Sequence, residues 1–233
     1  MFLNDITSWQ QAEKLKIMEM HPIENGYIPE NSEALIIGTF PPKSEYENNK
    51  NFFFYSSPRN HFWNRIDNIF PELQPKLKKT KTRLTKVTLE ENKCDKQKFC
   101  KEKRIGFLDV FTKVERKVEN SSKDTDLIPR ENILGNGKLL NHLEKNKNIN
   151  RICCVYKLAY DSLICGLDKM KLQLKKNELT ANGEEYIFNY KKREIRILLL
   201  FPATRSGQKG NVKDEQYKKL IFGIENKPVA NNS

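Results

Sequence analysis

LIIGTFPPKSEYENNKNFFFYSSPRNHFWNRI, residues 35–66, sets a short apolar run against a loop crowded with aromatic and polar side chains. With Ala34 in front, the run reads Ala-Leu-Ile-Ile-Gly-Thr and is broken by Pro41-Pro42. A continuous apolar stretch of this length, closed by Gly and Pro, suits a strand buried on both faces, as in a parallel sheet. Similar runs recur at 105–111, 151–156 and 195–201. Between them, residues 60–69, 130–145, 158–167 and 212–224 carry helical spacing. Strands alternating with helices predict an α/β fold: a three-layer α/β/α sandwich around a central, mostly parallel, four-stranded sheet. Ligands of such sheets sit at the carboxyl ends of the strands. That rule directs Thr39, Asp109, Tyr156 and Phe201-Pro202 toward one candidate site.

Working outward, Asn182-Gly183 ahead of residues 186–190 predicts a hairpin turn attached to the last core strand. Residues 76–104 hold twelve Lys or Arg against four Asp or Glu, with little periodicity. They read as a basic surface insertion, either following a phosphate backbone or simply solvated. No internal repeat is visible. The 233 residues suffice for one α/β domain, expected over 1–226, with a frayed tail at 227–233. A hydrophobic fraction of 37% with 10% aromatics is too apolar for a disordered chain, although 31% of residues are charged.

A formal net charge of +12 raises the local concentration of a polyanion, which makes nucleic acid the obvious partner. Lys and Asn richness from an AT-rich genome would produce a similar balance. The apolar runs fall well short of a membrane span and the N-terminus lacks a signal-peptide pattern, so a soluble, cytoplasmic chain without a membrane partner is expected. Five cysteines form neither an even disulfide framework nor CxxC pairs. His21, His61 and His142 show no metal-ligand spacing, and no H-E-x-x-H, Walker A or G-x-S-x-G pattern occurs. Neither a metal nor an organic cofactor is expected.

The stretch 35–66 resembles the first motif of the uracil-DNA glycosylase superfamily, above all its hypoxanthine (deoxyinosine) DNA glycosylase branch. In that branch a strand ends in Gly-Ser-Met-Pro-Gly and leads through a Tyr-Tyr pair to Pro-Arg-Asn and Phe-Trp. The matching residues here are Gly38-Thr39-Phe40-Pro41-Pro42, Phe54-Tyr55, Pro58-Arg59-Asn60 and Phe62-Trp63. The likeness continues through Ile105-Gly-Phe-Leu-Asp-Val110, Val114-Glu-Arg116 and a polar run to Asp126. It closes at Leu198-Leu-Leu-Phe-Pro-Ala-Thr-Arg-Ser-Gly207, which is similar to the superfamily's second, DNA-penetrating loop. The resemblance spans about 34–224 without the basic insertion. It implies an enzyme that flips a base out of DNA and cuts its N-glycosidic bond; nothing in the sequence marks a Lys as an activated Schiff-base nucleophile, so a monofunctional enzyme that leaves an abasic site is expected, as a monomer.

Read as chemistry, the same residues supply the parts such a reaction needs. An extruded base must be stacked and its Watson-Crick edge read. Phe40, Phe54 and Tyr55 are the candidate rings, beside Thr39, while Phe52 and Phe53 read as core. Cleavage leaves positive charge on the sugar and negative charge on the base, so a placed water and hydrogen bonds are required. Many superfamily members place the water with Asp or Asn two residues after the motif Gly. Position 40 is Phe here, and the resemblance transfers that role to Asn60, which equally suits a helix N-cap. An ionised Asp109 only accepts hydrogen bonds. It would read N1–H of hypoxanthine or the amine of a cytosine-type base better than a uracil edge, unless it merely caps a loop or pairs with Arg116. Lys43, Arg59, Thr204, Arg205 and Ser206 are candidate DNA contacts. The second motif lacks the His of classical uracil glycosylases. Two alternatives stand beside deaminated-base repair: excision of a hypermodified cytosine from phage DNA as antiviral defence, and a catalytically silent DNA-binding module.

Overall fold

The structure, a computed structural model, describes residues 18–49, 51–56, 60–73, 86–180, 183–203 and 208–224. The expected tail at 227–233, and residues 76–85 of the basic insertion, lie outside the described residues. The chain runs through β1 (Met18–Met20), β2 (Ala34–Gly38), α1 (Lys43–Tyr46), α2 (Phe62–Ile69), α3 (Lys86–Glu102), β3 (Ile105–Asp109), β4 (Phe111–Arg116) and β5 (Leu127–Asn132). It continues with α4 (Lys138–Lys145), β6 (Arg151–Cys154), α5 (Lys157–Lys169), β7 (Leu174–Thr180), β8 (Gly183–Tyr190), β9 (Arg193–Leu199) and α6 (Gly210–Phe222).

The main sheet has the order β3-β2-β6-β9-β8-β7. Its first four strands are parallel and are the four apolar runs of the sequence. The expectation of a four-stranded sheet is corrected, because the hairpin of β7 and β8 joins β9 antiparallel and makes a mixed sheet of six. These outer strands carry polar side chains such as Lys175, Lys176 and Glu184, so they lack the continuous apolar run that marks a strand buried on both faces.

A second sheet, β1-β4-β5, is antiparallel. It corrects two sequence expectations. The run 105–111 is two strands, since Asp109 closes β3 and Phe111 opens β4. The helical spacing expected over 130–145 holds only from Lys138, because Arg130 and Asn132 belong to β5. Gly137, at φ 73°, makes the left-handed turn into α4, and Asn136 Oδ1 accepts the Lys138 N–H.

Alternation along β2 explains why the main sheet is covered on both faces. Leu35 and Ile37 enter a core shared with Leu139 and Leu143 of α4 and with Leu163 and Leu167 of α5. Ala34 and Ile36 enter another, shared with Trp63 of α2, Phe99 of α3 and Leu220 of α6. Within the basic insertion, the sequence from residue 86 forms a 17-residue helix and its later turns are core. Phe99 sets its ring edge-on to Trp63 and Phe70, and Lys96 lies over the Trp63 ring while donating to Ser56 Oγ at 3.3 Å. No described helix is long and apolar enough to cross a membrane.

Phe107 of β3 is fully buried and meets the rings of Phe53, Phe54, Tyr55, Phe62 and Trp63, all with centroids 5.6–5.8 Å away. Truncation there leaves a void that five aromatic rings cannot close without moving. Phe107→Ala is expected to lower stability by about 3–5 kcal/mol in urea unfolding. A loss below about 1 kcal/mol would mean that the rings repack independently of β3.

Candidate active site at the strand ends

Gly38 and Asp109 end adjacent parallel strands and stand opposite each other in register. A Cβ at Gly38 would lie 2.4 Å from Asp109 Oδ1 and 2.6 Å from the Tyr55 hydroxyl. Glycine is therefore required for close approach rather than for an unusual backbone angle. The chain then crosses directly into the second sheet, with Val110 N–H donating to Gly38 O and Phe111 N–H to Thr39 O.

Asp109 is buried and its Oδ2 accepts from His21 Nε2 at 2.9 Å. Arg116, considered from sequence as its partner, pairs with Glu19 instead. His21 follows β1, and its Nδ1 lies 3.1 Å from the Ile23 N–H and 2.9 Å from the Ile23 carbonyl. A carboxylate oxygen only accepts, so the ring carries a proton on Nε2 and donates it to Asp109 Oδ2. The imidazole stacks on Phe54 at 5.8 Å and meets Phe40 edge-on at 5.4 Å. Phe40 and Phe54 are only 6% and 2% exposed, and Phe54 also stacks on Phe107, so both rings are built into the wall around His21.

Tyr55 is different. Its backbone sits at φ 56°, in the left-handed region that bulky residues rarely occupy and that stores strain when they do. Its ring stacks on Phe62 at 4.8 Å, and its hydroxyl is held beside Gly38 and Asp109. Burial, reinforced by the charge of Asp109, pushes the phenol well above its ordinary range and keeps it a neutral donor.

Asn60 uses both ends of its amide. Oδ1 accepts the Phe62 N–H at 2.8 Å in an Asx-type turn ahead of His61, the N-cap of α2, while Nδ2 donates to the Tyr156 hydroxyl at 3.0 Å. Tyr156 follows β6, and burial, with the nearby Asp124 charge, pushes its phenol up to about 12. Thr39 Oγ1 donates to Asp124 Oδ1 at 2.8 Å. Asp124 opens a 3-10 turn between β4 and β5, and burial raises its carboxyl above the usual range against the opposing pull of the Thr39 hydroxyl. Thus Thr39, Tyr55, Asn60 and Asp109 are brought together with Tyr156. Lys43, at the start of α1, lies 3.2 Å from Glu47. Arg59, Thr204, Arg205 and Ser206 lie outside the described residues. At the threshold of the second motif, Phe201 N–H donates to Gln216 Oε1 and Tyr217 donates to Phe201 O, fixing the end of the β9 segment to α6.

Three residues of this site escaped the sequence reading: Glu19, His21 and Asp124. Asp124 stood within the polar run noted before Asp126, whereas β1 is only three residues long and gives no periodic signal. Arg116 is the hub on that side. It donates through Nε to Glu19, through one terminal nitrogen to Ser121 O and through the other to Pro41 O, and it lies over Phe40. Tyr46 donates to the same glutamate at 2.6 Å.

No protein-family model matches the chain. No curated protein matches it either. A solution NMR structure from Methanosarcina acetivorans, described provisionally as a uracil DNA glycosylase, is similar to it with a TM-score of 0.47 and 17% identity, over 88% of this chain and 98% of that one.

The Glu19–Arg116 pair is buried, with side chains 7% and 3% exposed. Arg116→Met strands the carboxylate and is expected to cost about 3–5 kcal/mol in urea unfolding, part of which Glu19→Leu in the same chain restores. Equal instability of the single and double variants would show that the Pro41 and Ser121 bonds, rather than the ion pair, carry the contribution.

Proposed function

We propose that the chain is a monofunctional DNA glycosylase that turns one deaminated or modified base out of DNA and hydrolyses its N-glycosidic bond, leaving an abasic site. The observation that carries this reading is the convergence of Asp109, Tyr55 and Asn60, which also form the motif resemblance, with Tyr156 at the ends of parallel strands. A base must leave the stack before such a site can reach it. Tyr55, half-buried at the strand ends, is the ring against which it stacks, with Phe40 and Phe54 behind. With Oδ2 held by His21, Asp109 turns Oδ1 toward Gly38 and accepts an N–H of the base. Hypoxanthine, which offers N1–H, is the first substrate and uracil the second. The acceptor character of Asp109 equally favours the amine of a modified cytosine, so excision of a hypermodified base from phage DNA is the second reading. Asn60, together with Tyr156, orients the attacking water. Lys43, Arg59, Thr204, Arg205 and Ser206 hold the flanking DNA, toward which the charge of +12 draws the protein.

The test is base release from matched oligonucleotides carrying hypoxanthine, uracil, 5-hydroxymethylcytosine or its glucosylated form. Release of one base is expected, with Asn60→Ala lowering the rate by about 10²–10⁴-fold. The same variant loses the bonds to the Phe62 N–H and the Tyr156 hydroxyl, so urea unfolding alongside the assay separates lost chemistry from lost fold. DNA binding without release of any base would favour the silent binding module. The affinity for DNA should also fall at least about tenfold between about 50 and about 200 mM salt; a flat response would remove the basic surface from the DNA interface.

A further inference from the structure

We propose that Asp124 is a further catalytic residue, whose carboxylate faces the positive charge that develops on the sugar and receives the proton of the attacking water. This rests on the glycosylase reading and adds to it the group that handles charge at C1′. Hydrolysis breaks the C1′–N bond with its electron pair leaving on the base, and the sugar becomes cationic. Water then bonds to C1′ through oxygen and gives up one proton, which passes by way of Asp124 to the departing base or to solvent. The products are the protonated base and a 1′-hydroxyl sugar.

A carboxylate beside that water would hold the cation; within the first motif, Glu47 pairs with Lys43 and Glu45 acts on Tyr156 less than Asp124 does. Phe40 is buried against His21 and under Arg116, and Asn60 is neutral. Asp109 has one oxygen engaged by His21 and the other over Gly38, which commits it to the base. Asp124 comes from a different segment, yet its Oδ1 accepts from Thr39, the residue that directly follows β2. Its charge acts on Tyr156, and Tyr156 is the hydroxyl to which Asn60 donates. Asn60 and Asp124 thus both bear on Tyr156, the first by a hydrogen bond and the second by its charge. Thr39 fixes the orientation of the carboxylate through Oδ1 and leaves Oδ2 for a water, and the residue is only half-buried, so water reaches it. The groups acting on it are Thr39, Asp109 and Arg116. Burial lifts the carboxyl above the ordinary range, the direction that strengthens it as a proton acceptor.

Asp124→Asn keeps the shape and the acceptor for Thr39 but removes the charge. In the oligonucleotide assay, kcat for the base that the wild type releases should fall about 100-fold or more with little change in KM. Because burial disfavours the charged form, the variant should melt no lower than the wild type at neutral pH, which separates lost chemistry from lost fold. A second readout needs no turnover. Duplexes carry either a pyrrolidine abasic analogue, whose protonated nitrogen mimics the cationic sugar, or its neutral tetrahydrofuran counterpart. The wild type should prefer the pyrrolidine by roughly 100-fold, Asp124→Asn should lose that preference, and Asp124→Glu should keep most of it. Base release at the wild-type rate by Asp124→Asn, or an undiminished pyrrolidine preference, overturns the assignment and leaves the glycosylase reading intact. A wild type that releases no base and does not distinguish the analogues overturns both. A preference that depends on Asp124 without release of any tested base upholds the assignment and moves the search to another base.

Discussion

The site depends on a side chain that is absent. Two parallel strands end in register at Gly38 and Asp109, and only a hydrogen on Gly38 leaves room for the Asp109 carboxylate and the Tyr55 hydroxyl to meet above it. Neither group is loose enough to yield to a methyl. Asp109 is tied to His21, and Tyr55 is stacked on Phe62 in a strained backbone conformation. Close packing around Phe107 passes that constraint into the core, so the geometry at the strand ends and the stability of the sheet are one problem.

The electrostatics of the molecule run in two opposite senses. The chain as a whole carries +12, yet the groups gathered at the strand ends include the carboxylates of Asp109 and Asp124 and two phenols raised by burial. Long-range attraction thus favours a polyanion, while at short range the interior favours hydrogen-bond donors and positive charge. An anionic backbone outside and an electron-poor sugar inside match that division.

Much of this was legible in the amino-acid sequence, because strands buried on both faces leave continuous apolar runs. All four parallel strands announce themselves that way, and the helices near 62, 157 and 210 by their helical spacing. The outer hairpin β7 and β8 was visible as a turn but not counted into the sheet, since its side chains are mixed in polarity. At the site, Thr39, Tyr55, Asn60 and Asp109 were readable from motif order and from their places at strand ends. His21 and Asp124 were not, because their roles come from tertiary pairing with residues 88 and 85 positions away. The basic insertion misled for a different reason: among the described side chains its helix buries Lys96, Phe99 and Cys100, a polar and apolar mixture that gives little hydrophobic periodicity.

Glu19 and His21 lie in and just after a three-residue strand, far in sequence from every motif residue, and both press on the site from behind. The candidate site is accordingly larger than its recognisable signature. A fragment begun at the first motif strand would carry Thr39, Tyr55, Asn60, Asp109 and Asp124, yet it would leave Asp109 without its imidazole and Arg116 without its glutamate. Domain boundaries drawn from motif similarity alone would cut away the buttress and keep the arch.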